Sequence, residues 1–354
     1  MKKIGIGIIG CGVIAPTHAE SYALDKNVRL VTACDVIPER AKALAERFGF
    51  KGTATDAADV FADPGIDAVS ICTPHFNHAK LCEAALAAGK DVLCEKPIAN
   101  TRAGLALVRK AEAKYPDRIF SGVFQHRYNP VFRELRLLVG EGAFGTIATA
   151  AFHNRCLRTD SYYSADSWRG TKRYENGGVL INQAIHYLDI FQWTMGGIDS
   201  IAGASMANRT HQNSIETEDT IAATVLFKNG AIGTVETTNS AIIHWDTMLE
   251  ITGSDGFVSI TDGNIVRMEF SNPAAARRMK AAQKAHDARN RKVDGVGRSY
   301  YGLGHPSQIA DFLSCVRRRG RPFVTASDAS VAAELVLDIY QAAARRAKKA
   351  PARA

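Results

Sequence analysis

Two residues of this 354-residue chain are of a type, and in a setting, to move protons. His186 lies in Gly177-Gly178-Val-Leu-Ile-Asn182-Gln183-Ala-Ile-His186-Tyr-Leu-Asp189. At 100° per residue this stretch puts Asn182, His186 and Asp189 on one stripe of a helix, with Ile181, Ile185, Leu188 and Phe191 turned to a core. An imidazole titrates near neutral pH and can take or give a proton at a reacting oxygen. Lys96 lies in Glu95-Lys96-Pro97, directly after the apolar run Asp91-Val-Leu-Cys94, and the proline fixes the backbone there. Its ammonium can donate to an oxygen that gains negative charge. A lone helix histidine is usually structural and a lone lysine usually a surface charge. The elements that carry these two argue otherwise.

Near the start of the chain stand Ile4-Gly-Ile-Gly-Ile-Ile-Gly10-Cys-Gly12-Val13-Ile14-Ala15, a helical run, and then Val28-Arg-Leu-Val-Thr-Ala-Cys-Asp35. Short Ile/Val runs bounded by glycine read as strands buried on both faces. Gly10, Gly12 and Ala15 fill the G-x-G-x-x-G/A positions, which suit a tight turn, close approach to a diphosphate and close helix–strand packing. Gly10, Gly12, Val13 and Ile14 are therefore candidate dinucleotide contacts at a helix N-terminus. Asp35 ends the second strand, where a carboxylate accepts from the adenosine ribose and repels a 2′-phosphate; NAD is favoured. Arg40 keeps NADP open as the less favoured cofactor. Helices over Pro38–Phe48, Pro74–Ala88 and Thr101–Lys114 alternate with strands Asp67–Thr73, Asp91–Cys94 and Ile119–Val123, which predicts a parallel sheet covered by helices. Ligands bind such sheets beyond the carboxyl ends of the strands. Thr73, Asn77, Glu95, Lys96 and Gln125 all follow strands at that edge. Hydride transfer from an alcohol needs one group to take the hydroxyl proton and another to stabilise the alkoxide. Lys96 and His186 suit these tasks, and the spacing leaves open which does which.

From residue 124 the texture changes, and the chain divides into a Rossmann domain (1–123) and an α+β domain (124–354). Thr146–Cys156, Ile201–Arg209, Thr220–Phe227, Ala231–Thr237, Thr247–Thr252, Gly256–Ile260 and Ile265–Phe270 read as strands of an open, mostly antiparallel sheet. Lys228-Asn229-Gly230 is a hairpin turn in which Asn-Gly supplies the positive φ angles. The helix Val179–Met195 should cover one sheet face, leaving the other for a neighbouring subunit. Pro273–Arg291 reads as a basic helix with a solvated face. Ser307–Arg317 and Ala329–Ala344 are further helices, and Arg345–Ala354 a frayed tail. A hydrophobic content of 46% is ordinary for a globular protein. No apolar run reaches the ~18 residues of a spanning helix, and no export signal precedes the first strand, so a cytoplasmic location without membrane contact is expected. Seven cysteines without a C-x-x-C pair point to reduced, buried thiols and to no metal site. The charge of +8 suits an anionic substrate or simple solubility, and no basic–aromatic motif points to nucleic acid.

The chain resembles the glucose–fructose oxidoreductase / inositol dehydrogenase / rhizopine catabolism (Gfo/Idh/MocA) family over essentially its full length. The residues that carry this are Gly10-x-Gly12-x-x-Ala15, Thr73-Pro74-x-x-x-His78, Glu95-Lys96-Pro97, Gly177-Gly178 through His186-x-x-Asp189, and Gly304-His305-x-x-Gln308-x-x-Asp311-Phe312. The resemblance implies NAD(P) dependence, with His78 beside the cofactor, Lys96 catalytic and His186 the acid/base. It also implies a homodimer or homotetramer built on the open sheet. Many members carry Asp one turn before the histidine; here Asn182 can orient the imidazole but cannot raise its pKa. Asn182-Gln183-Ala-Ile-His186, preceded by Trp168-Arg169-Gly170-Thr171, is similar to enzymes that oxidise the 3-hydroxyl of UDP-N-acetylglucosamine or its uronate. Arg127, Tyr163, Trp168, Arg169, Asn182, Gln183 and His305 are thus candidates for sugar or nucleotide contact. A dehydrogenase of a free cyclic polyol such as inositol is the near alternative. An NAD-requiring glycosidase and a non-catalytic dinucleotide sensor belong to other classes; intact Lys96 and His186 argue against the sensor.

Overall fold

The computed structural model describes residues 3–292 and 304–349, in two compact units. The first begins with β1 (Ile4–Ile9), α1 (Ala15–Ala23), β2 (Val28–Cys34), α2 (Pro38–Phe48), β3 (Gly52–Ala54) and α3 (Ala57–Ala62). It continues through β4 (Ala68–Ile71), α4 (His78–Ala87), β5 (Asp91–Cys94), α5 (Arg102–Lys114) and β6 (Phe120–Gly122). The six strands are parallel in the order β3-β2-β1-β4-β5-β6. Ile9 pairs with Cys34 and Ile71, Ile71 with Cys94, and Cys94 with Gly122. The strands therefore end level, and Gly10, Asp35, Cys72 and Glu95 open their loops along one edge. β1 is buried at every position, as a strand covered on both faces must be. β3 and α3 were not expected, because a three-residue edge strand with exposed Gly52 and Thr53 leaves no apolar pattern.

The second unit contains α6 (Pro130–Gly140), β7 (Ile147–Leu157), α7 (Asp160–Ser164) and α8 (Ile185–Thr194), the last preceded by a wide π-helical turn over Leu180–Ala184. β8 (Ile198–Ala207), β9 (Thr220–Phe227), β10 (Ile232–Thr238), β11 (Ser240–Gly253), β12 (Gly256–Thr261), β13 (Asn264–Phe270) and α9 (Pro273–Lys292) follow. The sheet order is β13-β12-β11-β7-β10-β9-β8; β7 and β10 pair in parallel and the other neighbours antiparallel. Burial alternates strictly along β9 and β10, so one face is covered and the other open. In the β9–β10 turn only Gly230 adopts positive φ; Asn229 instead accepts from the Ala231 N–H through its side chain.

The division expected at residue 124 needs correcting. Residues 304–333, including α10 (Gly304–Arg318) and the start of α11 (Ala326–Lys349), belong to the first unit. The cause is the apolar stripe of α10: Ile309, Phe312, Leu313 and Val316 share a core with Ile6, Ile8, Ala15 and Ala19. Residues 126–292 and 334–349 form the second unit. α11 is helical through Lys349, five residues beyond the expected stop, and Ala350–Ala354 lie outside the described residues. All seven cysteines are buried and unbridged. No helix among the described residues is long and apolar enough to cross a membrane.

Candidate active site

The first unit offers a dinucleotide cradle. Gly10 has φ +90°, and a Cβ there would lie 2.6 Å from the Cys72 carbonyl carbon, so only glycine lets this turn pass the end of β4. Around Gly12 the space is open, as approach to a diphosphate requires. No side chain caps α1; Pro16 has no N–H, and the Ala15 and Thr17 N–H groups bond to the Gly12 and Ile14 carbonyls. Val13 is exposed and Ile14 half-buried beside that turn. Asp35 ties the cradle together: Oδ2 accepts from the Cys11 N–H at 2.7 Å and Oδ1 from the Ile37 N–H at 2.9 Å. Each oxygen keeps a lone pair for a ribose hydroxyl. Arg40 is exposed one turn into α2.

Thr73 and Asn77 are half-buried beyond β4, and Lys96 is half-buried beyond β5 with a cis peptide to Pro97. Four residues expected at the cofactor or substrate, His78, Glu95, Gln125 and His305, are buried. His78 is fully buried, its Nδ1 2.7 Å from the Pro97 carbonyl oxygen and its Nε2 2.7 Å from that of Thr73. It therefore holds the two loops together rather than facing a cofactor. Burial lowers its pKa, although both carbonyls favour the charged ring. His305, at the start of α10, is buried with Nε2 3.8 Å from Glu95 Oε1. Glu95 accepts from His18 Nε2 at 3.0 Å and from the Lys96 N–H at 3.0 Å. Burial alone would raise the Glu95 carboxyl, but hydrogen bonds and charge from His18 and His305 hold it well below the usual range. Gln125 is buried beside Gly304, where a Cβ would strike the Gln125 carbonyl at 2.0 Å. Gln308 accepts from the Phe124 N–H and donates to the Gly122 carbonyl, so this motif fastens α10 to the end of β6.

In the second unit, Asn182 and His186 are half-exposed while nearly every neighbour on their helix is buried. Asp189 does not continue the stripe. It is fully buried and receives a bidentate pair from Arg127, Nε to Oδ2 at 2.7 Å and Nη2 to Oδ1 at 2.6 Å. His186 and Asp189 both follow the π turn in regular helix, where three residues leave them about 60° apart around the axis, enough to carry Asp189 to the buried side. Arg127 is thereby corrected from a substrate contact to a buried partner of the helix, its guanidinium 5.3 Å from the Trp193 ring centre. Tyr163 is likewise buried, and its hydroxyl accepts from Asn239. Trp168 and Arg169 are half-exposed. The Arg169 guanidinium lies 4.7 Å from the Trp168 ring centre and 4.5 Å from that of Tyr162. Tyr162 accepts from Arg169 at 2.6 Å and from Gln183 at 3.2 Å, which links this cluster to the His186 helix.

The oxidoreductase family model with an NAD-binding Rossmann fold matches residues 4–122, and the GFO/IDH/MocA C-terminal domain matches residues 132–259. The chain belongs to the GFO/IDH/MocA family. Among solved structures, the WlbA dehydrogenase from Bordetella pertussis in complex with NADH and UDP-GlcNAcA is 26% identical with a TM-score of 0.88, covering 98% of this chain and 96% of that one. The levoglucosan dehydrogenase of Pseudarthrobacter phenanthrenivorans is 28% identical over 68% of this chain and 69% of its own length. The myo-inositol 2-dehydrogenase of Thermotoga maritima is 28% identical over 71% of this chain and 73% of its own length. This GFO/IDH/MocA member is an oxidoreductase that uses NAD. Several residues that bond around the candidate side chains or their helix were not singled out from the sequence: His18, Tyr162, Glu175, Glu218 and Tyr340. For His18 a signal existed. It and Tyr22 lie one turn apart on the same inward side of α1 as Ala15 and Ala19, where a polar side chain needs a buried partner.

Proposed function

We propose that the chain oxidises a sugar ring hydroxyl to a ketone with NAD, most favourably at C3 of a UDP-linked N-acetylhexosamine or its uronate. Gly12 and Asp35 would hold NAD by its diphosphate and ribose, and the cofactor would supply the hydride acceptor. Lys96 and His186 share the remaining work, taking the hydroxyl proton and donating to the alkoxide as charge develops. Glu95 and Pro97 flank Lys96 on a braced turn, and Asn182 sits one turn before His186. The nucleotide-sugar reading rests above all on the Tyr162–Trp168–Arg169 cluster joined through Gln183 to the His186 helix. Planar rings beside a guanidinium suit a base and a phosphate on one ligand. Its likeness to the Bordetella structure supports the same ligand class. A free polyol such as inositol is the second reading, favoured by the Thermotoga relative.

The test is NADH absorbance with UDP-N-acetylglucosamine, its uronate and myo-inositol, in steady state and in single turnover. We expect signal with a UDP-sugar, and a fall of about 10³-fold or more in Lys96→Ala with NAD affinity nearly unchanged. Turnover of inositol alone would move the assignment to the polyol, and full activity of Lys96→Ala would remove Lys96 from the chemistry. Release of a sugar leaving group without NADH would favour the glycosidase class.

A further inference from the structure

The buried polar groups behind Lys96 form a continuous set. Tyr22 Oη lies 2.8 Å from Ser70 Oγ, Ser70 Oγ 3.0 Å from His18 Nδ1, and His18 Nε2 3.0 Å from Glu95 Oε1. The other Glu95 oxygen accepts the Lys96 backbone N–H. On the far side of Lys96, the Pro97 carbonyl is held by His78. His18, His78 and His305 come from α1, α4 and α10, so three helices grip one turn of the chain. From this we infer that His18 is a positioning residue, which through Glu95 fixes the peptide that presents Lys96.

A proton wire is the other use for such a chain, and the geometry opposes it. The series ends at Tyr22, which is fully buried, and burial pushes that phenol well above its ordinary range. A wire with no outlet moves no protons in turnover. A metal is a second alternative, because the donor atoms of His18, Glu95 and His305 lie within 4.8 Å of one another. However, His18 Nε2 and Glu95 Oε1 already stand at hydrogen-bond distance, and a carboxylate can only accept, so a proton occupies the line between them. What remains is a brace. A turn held from both sides keeps the ammonium within the narrow range that hydride-linked proton transfer demands.

This inference rests on Lys96 taking part in the reaction, so Lys96→Ala is run beside the test. His18→Gln places an amide N–H where Nε2 stood and keeps a donor for Glu95. His18→Asn keeps a group for Ser70 and withdraws from Glu95. The two substitutions are alike in polarity, and they separate position from packing. Expected is kcat within about 3-fold of wild type for His18→Gln and a loss of about 100-fold for His18→Asn, the cost of misplacing a reacting group by about 1 Å. In both, the sugar KM and the NAD dissociation constant should stay within about 3-fold. Equal losses in the two variants, an active His18→Asn, or a loss confined to KM or NAD binding would overturn the brace. Should neither fold, Glu95→Gln takes their place; it keeps the shape and halves the acceptors, and unchanged kcat there would overturn the idea equally. Zinc bound stoichiometrically by the wild-type protein but not by His18→Asn would replace the brace with a metal site. If Lys96→Ala remains active, the catalytic assignment fails; if it is dead and His18→Asn is active, only the brace fails.

Discussion

Asn182 shows how one amide can redistribute charge around a histidine. Its Nδ2 donates to Glu175 Oε1, and the other Glu175 oxygen accepts from the Gly170 N–H. Glu175 is buried, so a carboxylate stands one hydrogen bond behind Asn182. It follows that Asn182→Asp does not improve the enzyme. Two carboxylates would meet where an amide and a carboxylate now match, and one of them would have to hold a proton. Losing a hydrogen bond to a buried charge costs about 2 kcal/mol, or roughly 3 °C in Tm for a chain of this size. Asn182→Asp should therefore lower Tm by that amount and reduce kcat at pH 7.5, and adding Glu175→Gln should recover most of both. Thermal unfolding and steady-state kinetics of the single and double variants measure it; an additive double variant would show that the two residues act separately.

At the scale of the element, the start of the His186 helix is a fitted joint. A Cβ on Gly178 would lie 1.8 Å from the Glu218 carbonyl oxygen, and one on Gly177 would lie 2.3 Å from the Tyr340 hydroxyl. The Gly-Gly pair is thus a demand of close packing. The Glu218 side chain accepts from the Gly178 N–H at 3.0 Å, the Leu180 N–H at 3.2 Å and Tyr340 at 2.7 Å. Burial outweighs these donors and pushes its pKa up to about 7. An acid whose pKa is raised on folding favours the native state fully below its unfolded value near 4.5. That contribution drains away as pH climbs to about 7 and stays low above it, a loss of about 3 kcal/mol over the window. Urea unfolding at pH 5 and pH 7.5 should therefore show Glu218→Gln gaining on wild type at the higher pH by about that amount; a gain at the lower pH instead would mean that the N–H donors keep Glu218 ionised. The Gly-Gly pair itself was legible in the sequence, as were the Gly10 turn, Asp35 and the Lys96 strand end, because each has a local backbone requirement. The π turn was not, since the apolar pattern over Leu180–Ala184 matches an ordinary helix. Nor were Arg127–Asp189 and His18–Glu95, which join residues 62 and 77 positions apart and leave no mark on local periodicity. β11 begins seven residues before the expected Thr247, because its first part is exposed and its pairing with β7 shifts register between Ser240 and Trp245.

The largest scale concerns what a chain of this kind does with a sheet covered on one face. Along β9 and β10 the exposed positions are Ala222, Thr224 and Leu226, and Ile232, Thr234 and Glu236. Leu226 stands directly opposite Ile232, and Thr224 opposite Thr234. Beside them Glu236 receives Arg155 from β7, and Asp246 on β11 receives His153. Threonines and alanines make a low, even surface, Arg155 meets the Glu236 charge, and the leucine and isoleucine add apolar area at one end. A face of this texture suits a second copy of itself related by a twofold axis, since each strand then meets an identical partner. We expect the wild-type protein to run as a dimer or tetramer in light scattering. Thr224→Arg with Thr234→Arg places four guanidinium groups at a twofold contact, a like-charge repulsion that should lower the mass to that of a smaller species. NAD titration provides the control, because the cradle at Gly10–Ile14 belongs to the other unit and its affinity should not move. A wild-type monomer, or a double variant of unchanged mass, would assign the open face to some other use.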